Sequence, residues 1–126
     1  ELNAEILTEL LKMKGAECTI CENGQKVVET FEQSVPGAYD MILMDVQMPV
    51  MNGYDAARAI RRSLHKQAGT IPIIAMTANA FSEDIRHSLT AGMNAHISKP
   101  VDMMLLEKTI RSIKSGGGSE TQADKE

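Results

Sequence analysis

The chain has 126 residues, room for one domain around one core. Apolar residues make up 43% of it, too many for a chain disordered throughout, while aromatics are only 3% and Trp is absent, so nine Met and the aliphatic residues must fill the interior. A formal charge of -4 argues against a surface built for nucleic acid; with no apolar run of ~20 residues and no signal-peptide pattern, a soluble cytoplasmic domain without membrane contact is expected.

Leu2, Ile6, Leu10 and Met13 recur at helical spacing, and Leu7 and Leu11 widen the stripe, which predicts a helix over 2–14 stopped by Gly15. Glu17 to Cys21 reads as a short strand. Cys18 and Cys21 would then point to opposite faces, so they could neither share a metal nor close a disulfide. Asn23-Gly24 turns the chain into a second helix over 25–33, with Val27, Val28 and Phe31 inward, and Pro36-Gly37 breaks it.

Tyr39-Asp40-Met41-Ile42-Leu43-Met44-Asp45 follows. Met41 to Asp45 is apolar on both faces until its closing carboxylate, the pattern of a strand in the middle of a parallel sheet. After a loop from Val46 to Gly53, where Gly53 reads as a turn residue, a third helix over about 54–64 turns Ala57, Ile60 and Leu64 inward. Arg58, Arg61 and Arg62 are expected on its solvated face. Gln67 to Thr70 is a polar loop. Ile71 to Met76 is a second all-apolar strand, ending in Thr77, with Pro72 tolerable near its start.

Ser82 is a candidate helix N-cap, with Glu83 and Asp84 facing the positive end of the helix dipole, and that fourth helix runs to Gly92. Ala95 to Ile97 is a last strand, followed by Ser98-Lys99-Pro100. Asp102 caps a fifth helix whose Met103, Leu106, Ile110 and Ile113 form the inward stripe. Residues 1–114 are thus the domain, and 115–126, polar and Gly-rich, a flexible tail or linker. His65 and His87 fall on predicted helix surfaces, with no metal cluster around them.

Strands alternating with helices predict an α/β fold: a parallel sheet with helices on both faces. Asp45, Thr77 and Lys99 each end a successive strand, and such ends gather along one edge of the sheet. A carboxylate, a hydroxyl and an ammonium facing one crevice suit a phosphoryl group: the first attacks phosphorus, the second hydrogen-bonds an oxygen, the third neutralises charge.

With these residues in place, the chain resembles a receiver domain of bacterial two-component response regulators and hybrid histidine kinases. The resemblance lies in Tyr39 to Gly53, Ile71 to Ala80, Ala91-Gly92-Met93 and Ser98-Lys99-Pro100, and it covers about residues 1–114. It implies a flavodoxin-like sheet of order 2-1-3-4-5. It makes Asp45 the phosphoacceptor, Thr77 the switch hydroxyl and Lys99 the phosphate-binding lysine. Val46 and Ala78 would offer backbone N–H groups to the phosphoryl oxygens, and the main-chain carbonyl of Gln47 would join Asp45 in binding Mg²⁺. His96 stands where the family usually has the Tyr or Phe of the switch. Lys99-Pro100 would be a cis peptide. The implied partner is a histidine kinase or histidine phosphotransfer domain. Thr77-Ala78-Asn79-Ala80-Phe81 resembles receivers fused to hybrid sensor kinases, so such a kinase is the expected parent.

The family's first strand and its acidic pair have no counterpart in this sequence; Glu1 stands at the stump. Five buried apolar side chains contribute about 7–15 kcal/mol, as much as the ~5–15 kcal/mol stability of a whole domain. The gap is therefore expected to be filled by rearrangement or by segment exchange in a homo-oligomer. With Asp45 as the only matched carboxylate, Mg²⁺ binding and phosphorylation are expected to be weak or absent. Two other classes fit less of the pattern. A non-phosphorylated interaction module needs none of the strand-end chemistry. A phosphohydrolase of the haloacid-dehalogenase type needs a second Asp two residues after the nucleophile, and that position is Gln47.

Overall fold

The computed structural model describes residues 4–21, 23–47, 50–78, 82–99 and 101–114. Five helices, α1 (Ala4–Met13), α2 (Gly24–Gln33), α3 (Gly53–Arg62), α4 (Ser82–Thr90) and α5 (Met103–Lys114), alternate with three strands, β1 (Ile42–Asp45), β2 (Ile73–Thr77) and β3 (Ala95–Ser98). The strands pair in parallel in the order β1-β2-β3, with Asp45 opposite Met76 and Thr77 opposite Ser98.

The sheet separates two apolar clusters, as its two-sided apolar strands require. On one face Met44, Ile73 and Ala75 pack with Val28 and Phe31 of α2 and Ala57 and Ile60 of α3. On the other, Ile74 and Ile97 pack with Leu7 and Leu11 of α1 and Leu106 of α5. Local capping follows the sequence: Asn23, Asn52 and Asp102 accept backbone N–H groups of the first turns of α2, α3 and α5.

Three expectations change, those for Glu17–Cys21, Arg61 and His65. The segment Glu17–Cys21 is in no strand, because a strand needs a ladder partner and none reaches it among the described residues. Cys18 and Cys21 are both free, Cys18 against the α1/α5 cluster and Cys21 with its Sγ 3.4 Å from Thr30 Oγ1. Arg61 does not lie on a solvated face. Its guanidinium donates to the carbonyls of Gly92 and Ala68 and to Asn94 Oδ1 at 2.8–3.0 Å, and burial lowers its pKa. His65 lies beyond α3 rather than on it, stacked on Phe31 at 4.2 Å, with Nδ1 accepting the Gln67 N–H and Nε2 facing the Ser34 carbonyl. His87 is exposed on α4, edge-on to Tyr54. Glu1, Met48-Pro49, the stretch 79–81, Pro100 and the tail 115–126 lie outside the described residues.

Candidate functional site

The three ladders deliver their last residues to one rim. Asp45 closes β1, and Lys99 follows β3. The Lys99 N–H donates to the Thr77 carbonyl at 2.7 Å, so the end of β2 fixes where the lysine leaves the sheet. Its ammonium donates to Asp45 Oδ2 at 2.6 Å, with the two side chains 23% and 31% exposed. This pair is sheltered enough from solvent to be strong and open enough to admit a ligand. The other carboxylate oxygen, Oδ1, accepts the Gln47 N–H at 3.0 Å.

The backbone donors differ from the expectation. The Val46 N–H continues the ladder and donates to the Met76 carbonyl at 2.9 Å, so it is committed to the sheet. The amide that meets the carboxylate is that of Gln47, one residue later. The sequence signal was the parity of a parallel ladder, in which alternate residues turn their N–H to the same neighbour. Gln47 brings this amide toward Asp45 rather than the second carboxylate that the phosphohydrolase mechanism needs.

Thr77 is buried at the end of β2, and Ala78 beside it is exposed. His96 is half-buried, opposite Ala75 in the ladder, on the same face of the sheet as Thr77. Thus Asp45, Gln47 and Lys99 are in direct contact, Thr77 joins them through its carbonyl, and Val46 is drawn away.

Gly53 is more than a turn residue. Its N–H donates to the Val46 carbonyl at 2.9 Å, and a β-carbon there would stand 2.6 Å from the Asp45 carbonyl and 2.9 Å from Val46 Cα. The N-terminus of α3 therefore presses directly on the end of β1. Val50, in the loop between them, has a φ of 68°, a costly value for a β-branched residue.

A magnesium site needs near-octahedral oxygen donors, usually one or two carboxylates beside phosphate. The described residues offer the Asp45 carboxylate, already engaged by Lys99 and Gln47, and the Gln47 carbonyl; among them no cluster of three or more acidic, His or Cys ligands forms. These residues do not fit the ion.

A parallel α/β layer with an ammonium-paired carboxylate at its strand ends defines a class of phosphoryl-handling modules. Residues 1–111 match the response regulator receiver domain, and the chain belongs to that family. It is 34% identical over 113 residues to hybrid signal transduction histidine kinase I of Dictyostelium discoideum, covering 88% of this chain and 6% of that protein. It is 46% identical over 86 residues to histidine kinase 1 of Arabidopsis thaliana, covering 66% and 7%. The chain thus spans a small fraction of these relatives.

Among solved structures, it is similar to the receiver domain of a sensor histidine kinase from Pseudomonas aeruginosa PAO1, described with a magnesium ion coordinated in its active-site cleft. The TM-score is 0.75 at 35% identity, over 89% of this chain and 87% of that one. It is also similar to the receiver domain of Saccharomyces cerevisiae Ssk1 in complex with the histidine phosphotransfer protein Ypd1, with a TM-score of 0.76 at 32% identity, over 86% and 78%. The fold is the flavodoxin-like receiver fold, and receiver domains act in two-component phosphorelays. No described helix is long and apolar enough to cross a membrane.

Proposed function

We propose that residues 1–114 accept a phosphoryl group on Asp45 from a phosphohistidine, with 115–126 as tail or linker, in a cytoplasmic relay. The donor is a histidine kinase or a histidine phosphotransfer domain, of the kind bound to the yeast receiver. The observation that carries this reading is the 2.6 Å pairing of Lys99 with Asp45 at the rim where the three strands end.

The carboxylate oxygen attacks phosphorus, the P–N bond to the donor imidazole breaks, and the electron pair returns to the imidazole. Lys99 meets the new negative charge, and the Gln47 and Ala78 amides and the Thr77 hydroxyl supply hydrogen bonds to the phosphoryl oxygens. The phosphoryl group carries about 1.5–2 negative charges in place of the carboxylate's one, and this larger charge, set farther from the backbone, reorders the surface around Thr77 and His96. No step is routed through magnesium, whose donor set the described residues leave incomplete.

Incubation with acetyl phosphate and Mg²⁺, read by intact mass, tests the assignment. The expected result is a slow, partial one-phosphate shift that disappears in Asp45→Asn and falls about tenfold or more in Lys99→Met. Phosphate that persists in Asp45→Asn overturns it.

A further inference from the structure

The N-terminus of α2 lies against the loop that follows β1, and the contact leaves no room for a side chain. Gly24, the first residue of α2, is buried, and its N–H donates to the Met51 carbonyl at 3.1 Å. The first N–H groups of a helix have no partner within it, so this bond gives one of them an acceptor outside. The Asn23 side chain serves another, accepting the Lys26 N–H at 2.9 Å. A β-carbon on residue 24 would stand 2.2 Å from the Met51 carbonyl oxygen, 2.9 Å from the carbonyl carbon and 3.2 Å from Ala56 Cβ. Ala is the better helix residue, so it is this close approach to backbone that calls for glycine.

Val50 immediately precedes Met51, and its φ of 68° puts a β-branched residue in the left-handed region. Packing does not offset the cost, since Val50 is 78% exposed. Asn or Gly would take the same turn with less strain. A strained residue persists only where its surroundings over-determine the backbone. After Val50 they do. Gly24 holds the Met51 carbonyl, the Met51 side chain packs against the α2/α3 cluster, and Asn52 Oδ1 accepts the Asp55 N–H at 2.9 Å. Gly53 follows, tight against the Asp45 and Val46 backbone. The contact path from α2 to the phosphoacceptor strand is therefore continuous.

We infer that Gly24 is a positioning residue for the end of β1: it clamps the Met51 carbonyl, holds Val50 in its strained conformation and so sets where the first turn of α3 meets Asp45. Gly24 touches no reacting atom. A larger residue there pushes Met51 and Ala56 away from α2, releases Val50 and shifts the peptide units around Asp45, including the Gln47 N–H that donates to Oδ1. The effect on phosphate uptake rests on Asp45 being the phosphoacceptor; the clamp does not.

A glycine needed for packing alone would act independently of Val50, and the effects of the two substitutions on stability would add. A clamp that holds strain couples them, because relieving the strain gains stability only while the clamp is closed. Val50→Asn is therefore expected to raise the urea midpoint of the parent and to slow hydrogen exchange of the Gly24 amide about fivefold. In a Gly24→Ala background the same substitution is expected to leave the midpoint unchanged.

A second arm reads position. In Gly24→Ala, under conditions where the chain stays folded, the Gln47 amide proton moves toward its free chemical shift. Phosphate uptake from acetyl phosphate falls about tenfold. Arg61→Ala, destabilised away from the strand ends, keeps both at the parent's values. Four results overturn the inference: an equal gain from Val50→Asn with and without Gly24→Ala, unchanged Gly24 exchange in Val50→Asn, a Gln47 proton unmoved in Gly24→Ala, or uptake equal in Gly24→Ala and the parent. The exchange measurement needs only Val50→Asn, so it decides the coupling even where Gly24→Ala does not fold. If the parent takes up no phosphate, the phosphoacceptor reading fails, while the midpoints and the Gln47 proton still decide the clamp.

Discussion

Lys99 and Asp45 are 54 residues apart in the chain and 2.6 Å apart in space, and the precision of that meeting depends on a residue with no side chain. Gly53 lets the first turn of α3 lie against the Asp45 and Val46 backbone, with Met44 Cγ also at 3.0 Å from where a β-carbon would be. In an open helix Gly→Ala gains about 0.5–1 kcal/mol. Here the added methyl meets backbone that cannot swing aside, and overpacking of this kind costs about 1–3 kcal/mol. The second effect wins. Gly53→Ala is expected to lower the urea midpoint and, by moving Asp45, to slow phosphate uptake, both read on one preparation. The strand-end positions of Asp45, Thr77 and Lys99 were legible because each closes or follows a recognisable strand. Gly53 and the Gln47 amide were not, because spacing in sequence does not report how closely a helix approaches a strand or which way a peptide unit turns.

At the scale of elements, two side-chain contacts tie distant parts of the fold together. Arg61 reaches from the last turn of α3 to the turn between α4 and β3, where its guanidinium holds the Gly92 carbonyl, and Asn94 Oδ1 passes the contact on to the Ile73 N–H at the start of β2. Arg61→Ala leaves these acceptors unmet in a half-buried setting. It is expected to cost about 2–4 kcal/mol, measured as a shift of the urea midpoint at unchanged slope.

The second tie joins α1 to α5. The Lys14 ammonium donates to Glu107 at 2.8 Å and holds its carboxyl below the usual value, and Arg111 at 4.0 Å adds to the effect. A depressed carboxyl stabilises the fold above its unfolded pKa of about 4.3, and that contribution is lost as pH falls through the lower folded value. Thermal unfolding from pH 6 to 3 should therefore show a smaller loss in Glu107→Gln than in the parent, and 0.5 M salt should narrow the gap.

The arginine spacing on α3 separated an inner from an outer face but could not show that the turn after α4 covers part of the outer one. In contrast, Ile71 to Met76 and Met41 to Asp45 were legible because their apolar runs have no other place in a folded chain.

For the whole molecule, the division of the core between the two faces of the sheet decides how stability is distributed. The segment Glu17–Cys21 has the composition of a strand, yet membership of a sheet belongs to a pair, and composition does not report whether a partner lies alongside. Among the described residues, α1 buries Leu7 and Leu11 in a cluster of five buried residues, whereas the cluster on the opposite face of the sheet gathers twelve. The larger cluster links α2, α3 and the sheet, and the smaller holds α1 through those two leucines, with the Lys14–Glu107 pair beside it. Local opening follows the density of buried apolar contact. Native-state hydrogen exchange should therefore find α1 and residues 16–21 opening at a free energy well below that of β2, whose Ile73, Ile74 and Ala75 are fully buried. A single cooperative opening shared by α1 and β2 would show instead that the two faces of the sheet open as one unit.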